Sequence, residues 1–118
     1  MGAVFNKSVQ YKGVIENYMR ICPMKKAICF DATQANAIRM CAEFNEAGIP
    51  AKFLISGIDK NKPDELALYE RYKHLTGNRE QLIKDFHDDK FTVICNSGIL
   101  STGYDETSIE VCILNRAT

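Results

Sequence analysis

The residues of this chain best suited to chemistry are small and polar, and they recur just after short apolar runs. Asp31-Ala32-Thr33 follows "KAICF", Ser56-Gly57 follows "AKFLI", Ser97 to Asp105 follows "FTVICN", and Arg116 to Thr118 follows "EVCILN". Short hydroxyls and backbone amides in such places can reach phosphate oxygens without reading any base. A glycine tolerates positive φ and lets a loop bend close to a ligand, as Gly103 can in "STGYD". Asp105 is the carboxylate of that loop. Each candidate also has a plain structural reading. Asp105 can cap the turn ahead of "ETSIE", Ser97 can bond its own loop, and Arg79 can pair with Glu80 or Glu70. Thr102 can be simple loop filler.

Other chemistries find no support. No GxxxxGK[ST] phosphate cradle, GxGxxG fingerprint or nucleophile elbow occurs. His74 and His87 read as exposed helix residues, near no cysteine in sequence. Cys22, Cys29, Cys41, Cys95 and Cys112 are scattered without a CxxC pair. They read as free buried thiols acting as small hydrophobes, and no metal is expected. Asp88-Asp89 reads as a solvated turn, and Phe30, Phe44, Phe53 and Phe86 as core. Fifteen basic residues balance fifteen acidic ones. The net charge therefore does not mark a strongly basic nucleic-acid binder, although one groove can still be locally basic.

The elements that must position these residues follow from periodicity. At 118 residues, 46% of them apolar and 25% charged, the chain reads as one globular domain. No apolar run approaches the roughly 20 residues of a membrane span, and "MGAVFNKSVQ" lacks a signal-peptide core. A cytoplasmic location, with no membrane partner, is the expectation. Residues 1–12 read as a loose extension and 13–118 as the domain.

"GVIENYMRIC" places Val14, Ile15, Tyr18, Met19 and Cys22 on one helical face, and Pro23 ends that helix. "KAICFD" and "AKFLIS" read as buried strands, and "FTVICNS" and "EVCILN" as two more. Thr33 is the N-cap candidate of a helix burying Ala37, Ile38, Cys41 and Phe44, with Gly48 closing it. Pro63 suits the first turn of a further helix, with Leu66, Tyr69 and Tyr72 on its apolar side. "REQLIKDFHDD" gives a second, with Leu82, Ile83 and Phe86 facing inward. Continuously apolar strands alternating with helices predict an α/β fold, a parallel sheet covered on both faces. Ligands of such sheets gather at the carboxyl ends of the strands, which is where the small polar stretches lie.

These pieces, in order, resemble the second RecA-like domain of superfamily 2 helicases. "ICF" with Phe30 is similar to motif IV. "TGNREQLIKDF" gives Arg79 with Phe86 seven residues on, as in QxxR, with Thr76 where the family has Gln. "VICNSGILSTGYD" resembles motif V, with Ser97 for its Thr and Gly103-Tyr104-Asp105 for its Gly-x-Asp. "VCILNRAT" resembles the last strand. The variant looks closer to DEAD/DEAH relatives acting on DNA than to strict DEAD-box RNA helicases, which carry Arg at the place of Thr102 and Asp at that of Gly98. The first RecA-like domain and the arginine-finger motif VI are absent from these residues. The expectation is thus a fragment of a larger helicase, cut before motif VI. The stretch from Gly57 to Asn78 is longer than in the family.

The resemblance implies a three-layer RecA-like fold and an ATP-dependent helicase or translocase as the parent. It implies backbone contacts to DNA or RNA through Ser97, Arg79, Thr33, Ala32 and Gly57, and an interdomain ATP site touched by Gly103 and Asp105. ATP and Mg²⁺ would belong to the parent, with neither held by this chain alone. No catalytic residue and no hydrolysis are expected in the isolated chain. Its partner would be the first RecA-like domain, and with that face bare, weak self-association follows. The alternatives are a stand-alone flavodoxin-like or receiver-like binding module and a small enzyme on a doubly wound fold. A receiver needs a paired acidic cluster after its first strand and an Asp after its third, whereas Asp31 stands alone and "ICNSG" has no Asp.

Overall fold

The computed structural model describes residues 7–21, 23–97 and 111–115. Helix α1 is Lys7–Ile21, strand β1 Ala27–Asp31, helix α2 Gln34–Glu46 and strand β2 Ala51–Leu54. Helix α3 (Pro63–Tyr72) runs into a short 3₁₀ turn (Lys73–Leu75) and is followed by helix α4 (Arg79–His87) and strands β3 (Val93–Asn96) and β4 (Val111–Asn115). The strands lie in the order β2-β3-β1-β4, and every pair is parallel. Ala27 is opposite Val93 and Val111, and Phe30 is opposite Asn96 and Leu114.

Both faces of the sheet are covered, which gives the three-layer α/β architecture the continuously apolar strands predict. Side chains alternate across a strand. Ala27, Cys29, Ala51, Phe53, Val93 and Cys95 meet Ile38, Cys41 and Phe44 of α2 on one face. Tyr11, Ile15 and Tyr18 of α1 join this cluster, and Leu68, Tyr69 and Tyr72 of α3 pack against it. Ile28, Phe30, Leu54 and Ile94 point to the other face and meet Leu82 and Phe86 of α4. The four phenylalanines expected in the core are all buried there.

Local signals set the element ends. Thr33 caps α2 by accepting the Asn36 N–H at 3.1 Å, and Asn78 caps α4 by accepting the Gln81 N–H at 3.1 Å. Pro63 opens α3. Gly48 takes φ 85° just beyond α2, a conformation open to glycine at little cost. The Asn45 amide then donates to the carbonyls of Cys41 and Ala51, each at 2.9 Å, and ties the end of α2 to the start of β2.

Helix α1 departs from the sequence reading. It begins at Lys7, so residues 7–12 of the expected loose extension are helical. The cause is Tyr11, which is buried and donates its hydroxyl to Asn36 Oδ1 at 2.8 Å. The buried face therefore runs Tyr11, Ile15, Tyr18, while Met19, expected on it, is exposed. No helix among the described residues is long and apolar enough to cross a membrane.

Candidate functional site

Parallel topology gathers the small polar stretches. Helices α2 and α3 leave the carboxyl ends of β1 and β2, and α4 leads into the start of β3, so the starts of α2 and α4 lie at the same edge as the ends of β1, β2 and β3. Ala32 and Thr33 are exposed at the start of α2, Ser56 and Gly57 are exposed beyond β2, and Ser97 is half-buried beyond β3. Arg79 is exposed at the first position of α4. Four of the five backbone-contact candidates thus flank the ends of three neighbouring strands, and Arg79 starts the helix that faces them.

One residue the sequence reading missed organises this edge. The Gln34 side-chain carbonyl accepts from the Gly57 N–H at 3.1 Å and from the Ser56 hydroxyl at 3.3 Å. It locks the loop after β2 onto the start of α2. No motif marks Gln34; only its position directly after the cap Thr33 could have suggested it. The bond also changes what Gly57 can offer. Its N–H is already engaged, so it serves by close approach, and a Cβ built there would meet nothing within 4 Å. Thr76, at the place of the family's Gln, donates its hydroxyl to the Phe53 carbonyl at 2.6 Å and anchors the approach to α4 on the end of β2.

Beneath the edge lies a buried polar layer. Asn96 is wholly buried and donates to the Cys29 carbonyl at 3.3 Å, and Asp31 is 1% exposed. The Cys29 thiol lies 3.7 Å from Asp31 Oδ1. Cys29, Asp31 and Cys95 hold their potential ligand atoms within 4.8 Å of one another, a grouping that scattered sequence positions did not reveal. Register explains it, because Cys29 and Cys95 are direct partners across β1 and β3. Burial pushes the Cys95 thiol well above its ordinary range and also raises Cys41. A cation here would have to displace protons that burial holds in place, and a closed zinc site takes four ligands. Cys29, Cys41 and Cys95 are buried thiols outside any disulfide, as expected.

The remaining expectations divide. His74 and His87 are exposed. Asp88 and Asp89 form an exposed turn, with Asp89 paired to Lys26 at 2.8 Å. Glu70, one alternative partner of Arg79, pairs with Lys73 at 3.0 Å. Gly103 and Asp105, the expected ATP-site pair, lie outside the described residues, as do Thr102, Cys22 and Arg116 to Thr118. Next to Gly57 a cleft of about 430 Å³ opens between the loop after β2, Tyr69 of α3, and Thr76-Gly77.

No protein-family profile matches the chain. It is 29% identical over 105 residues to a "51.5 kDa protein" of a Lactococcus phage (isolate 7-9), an alignment covering 89% of this chain and 20% of that protein. Its fold is similar to the crystal structure of the Pyrococcus furiosus Hef helicase domain, with a TM-score of 0.62 and 16% identity over 93% of this chain and 20% of the other. The chain thus spans about a fifth of the length of both of these proteins. The structural likeness shows the fold, a RecA-like α/β domain.

Proposed function

We propose that this chain acts as the second RecA-like lobe of an ATP-dependent superfamily 2 helicase or translocase, gripping the backbone of a nucleic-acid strand along the carboxyl edge of its sheet. The supporting observation is the convergence of Ala32-Thr33, Ser56-Gly57 and Ser97 at one edge, with Arg79 at the start of α4, in a fold similar to a helicase domain.

The chemistry fits a sequence-independent grip. Thr33 and Ser97 offer hydroxyls, Gly57 permits close approach, and Arg79 offers a guanidinium for a phosphate. A cation at a helix N-terminus opposes the helix dipole, so Arg79 does not favour α4 by its charge. The Gly57 N–H is bound to Gln34 and the Asn36 N–H to Thr33, so neither of these two amides is open to a phosphate. ATP with Mg²⁺ would supply the driving free energy in the parent, and no step of its hydrolysis is assigned to the described residues. Gly103 and Asp105 would border the nucleotide across the interdomain cleft, and closure of the two lobes would couple turnover to movement along the strand. The first RecA-like domain is the implied partner. DNA is the favoured strand, and RNA is the other outcome of the test.

The test is the ATPase activity of the full-length parent with single- and double-stranded DNA and RNA, beside Asp105→Ala. Stimulation by one nucleic acid, lost in the variant, is the expected result. A parent without nucleic-acid-stimulated turnover would overturn the proposal.

A further inference from the structure

The cleft beside Gly57 is built by the stretch that is longer than in the resembling family, and its chemistry differs from that of the edge. Its volume, about 430 Å³, is within the range of about 300–1,000 Å³ typical of small-molecule sites. Ile55, Ile58, Leu66 and Tyr69 supply apolar wall, and the hydroxyls of Ser56 and Thr76 line it as well. Those hydroxyls are committed elsewhere, Ser56 to Gln34 and Thr76 to the Phe53 carbonyl. Glu70 is held by Lys73. Lys60 is different: it is exposed at the cleft and makes no ion pair among the described residues. The Tyr69 ring is fixed by an edge contact to Phe53, with centroids 6.4 Å apart at 79°.

A wall whose hydroxyls are engaged selects by shape and stacking rather than by hydrogen-bond pattern. An open cation beside it suits a phosphate. We propose that this cleft receives one unstacked base of a bound single strand, with Tyr69 as its platform and Lys60 at the attached phosphate. The placement rests on the proposed grip. Gly57 is in the cleft wall, and Gly77 precedes Arg79 by two residues, so a strand passing from Gly57 to Arg79 crosses the mouth. Base–aromatic stacking tolerates any sequence, as a translocase requires. The α3 insertion would thereby add a base contact to a lobe that otherwise holds only backbone.

The experiment is fluorescence anisotropy of the 118-residue chain with a labelled oligothymidylate and with an abasic oligomer of equal length at the same salt. The base-bearing strand should bind about tenfold more tightly, the effect of a single stack. Tyr69→Ala should bring it to the abasic level, and Tyr69→Phe should retain the difference. Gly77→Leu should also abolish it by filling the cleft; a Cβ at Gly77 meets nothing within 4 Å, and the melts check that the larger side chain leaves the fold intact. Thermal melts of each variant separate binding from folding. Equal affinity for the two oligomers, or a preference that survives both Tyr69→Ala and Gly77→Leu, overturns the base pocket. In either case, loss of affinity for both oligomers in Arg79→Ala would keep the backbone grip standing. Failure of the chain to bind either oligomer overturns both proposals.

Discussion

At the scale of single residues, stability and function can be tested separately at the carboxyl edge. Thr33 is both a backbone-contact candidate and the cap of α2. Thr33→Ala should cost about 1 kcal/mol through the lost cap, and Thr33→Ser should restore it; urea unfolding of the two variants checks this. Arg79 should behave in the opposite way. Its charge opposes the dipole of α4, so Arg79→Ala loses no dipole stabilisation, and a thermal melt measures what its contacts within the chain contribute. The same variant should weaken nucleic-acid binding for every sequence and reduce the slope of log K against log salt by about 0.7–0.9. A binding titration across salt concentrations, run beside the melt, decides it. A large loss of stability with unchanged binding would make Arg79 a structural residue. Gln34→Ala belongs with neither class. It frees Ser56 and Gly57 from α2, and since these bonds are exposed its cost should fall near the lower end of about 0.5–1.5 kcal/mol.

At the scale of elements, the two faces of the sheet are unequally protected. One is covered by α1 and α2 with α3 packed beside them, whereas α4 supplies the helical cover of the other among the described residues. Phe86 is the largest buried side chain of α4, 1% exposed, and packs on Phe91 with centroids 5.3 Å apart. Phe86→Ala should therefore cost about 3–5 kcal/mol and loosen α4 as a unit. Hydrogen exchange should show protection lost first along α4 and the strand residues beneath it, with α2 retained. Equal loss in α2 would mean that the two faces do not unfold separately. Because α4 begins with Arg79, the same packing fixes where that residue starts the helix. Helix α3 is a contrast. It has no fully buried residue, and its partly buried Leu68, Tyr69 and Tyr72 hold it against the core.

At the scale of the whole molecule, the core carries its own pH signature. Burial raises the thiols of Cys41 and Cys95 above their ordinary value of 9.0. Below that value folded and unfolded chains both keep these protons, and stability is complete. Above it the unfolded chain releases protons that the folded chain retains, so stability falls as pH rises. Each thiol should contribute a slope of about 1.4 kcal/mol per pH unit beyond pH 9. Denaturant unfolding between pH 8 and pH 10.5 measures it, and Cys41→Ala should remove one thiol's share of the slope. A flat profile would mean that the thiols are not held protonated.

Sequence alone determined the local order of this protein. Continuously apolar strands announced a sheet buried on both faces, since only such strands lack a polar side. Thr33, Pro63 and Gly48 marked helix ends because capping, ring geometry and positive φ are properties of one residue and its near neighbours. The candidates Ala32, Thr33, Gly57, Ser97 and Arg79 were legible as strand-end or helix-start residues for the same reason. Tertiary structure decided what no local pattern encodes. The order β2-β3-β1-β4 sets which strands are neighbours and so brings Cys29 beside Cys95, and the start of α2, packed over β3 and β2, brings Gln34 onto Gly57. The burial of Tyr11 against Asn36 extends α1 back to Lys7, although residues 7–12 carry little helical pattern of their own. The cleft beside Tyr69 arises from α3 folding back over the end of β2. Each of these joins residues distant in the chain, and their proximity is fixed by packing across the whole core.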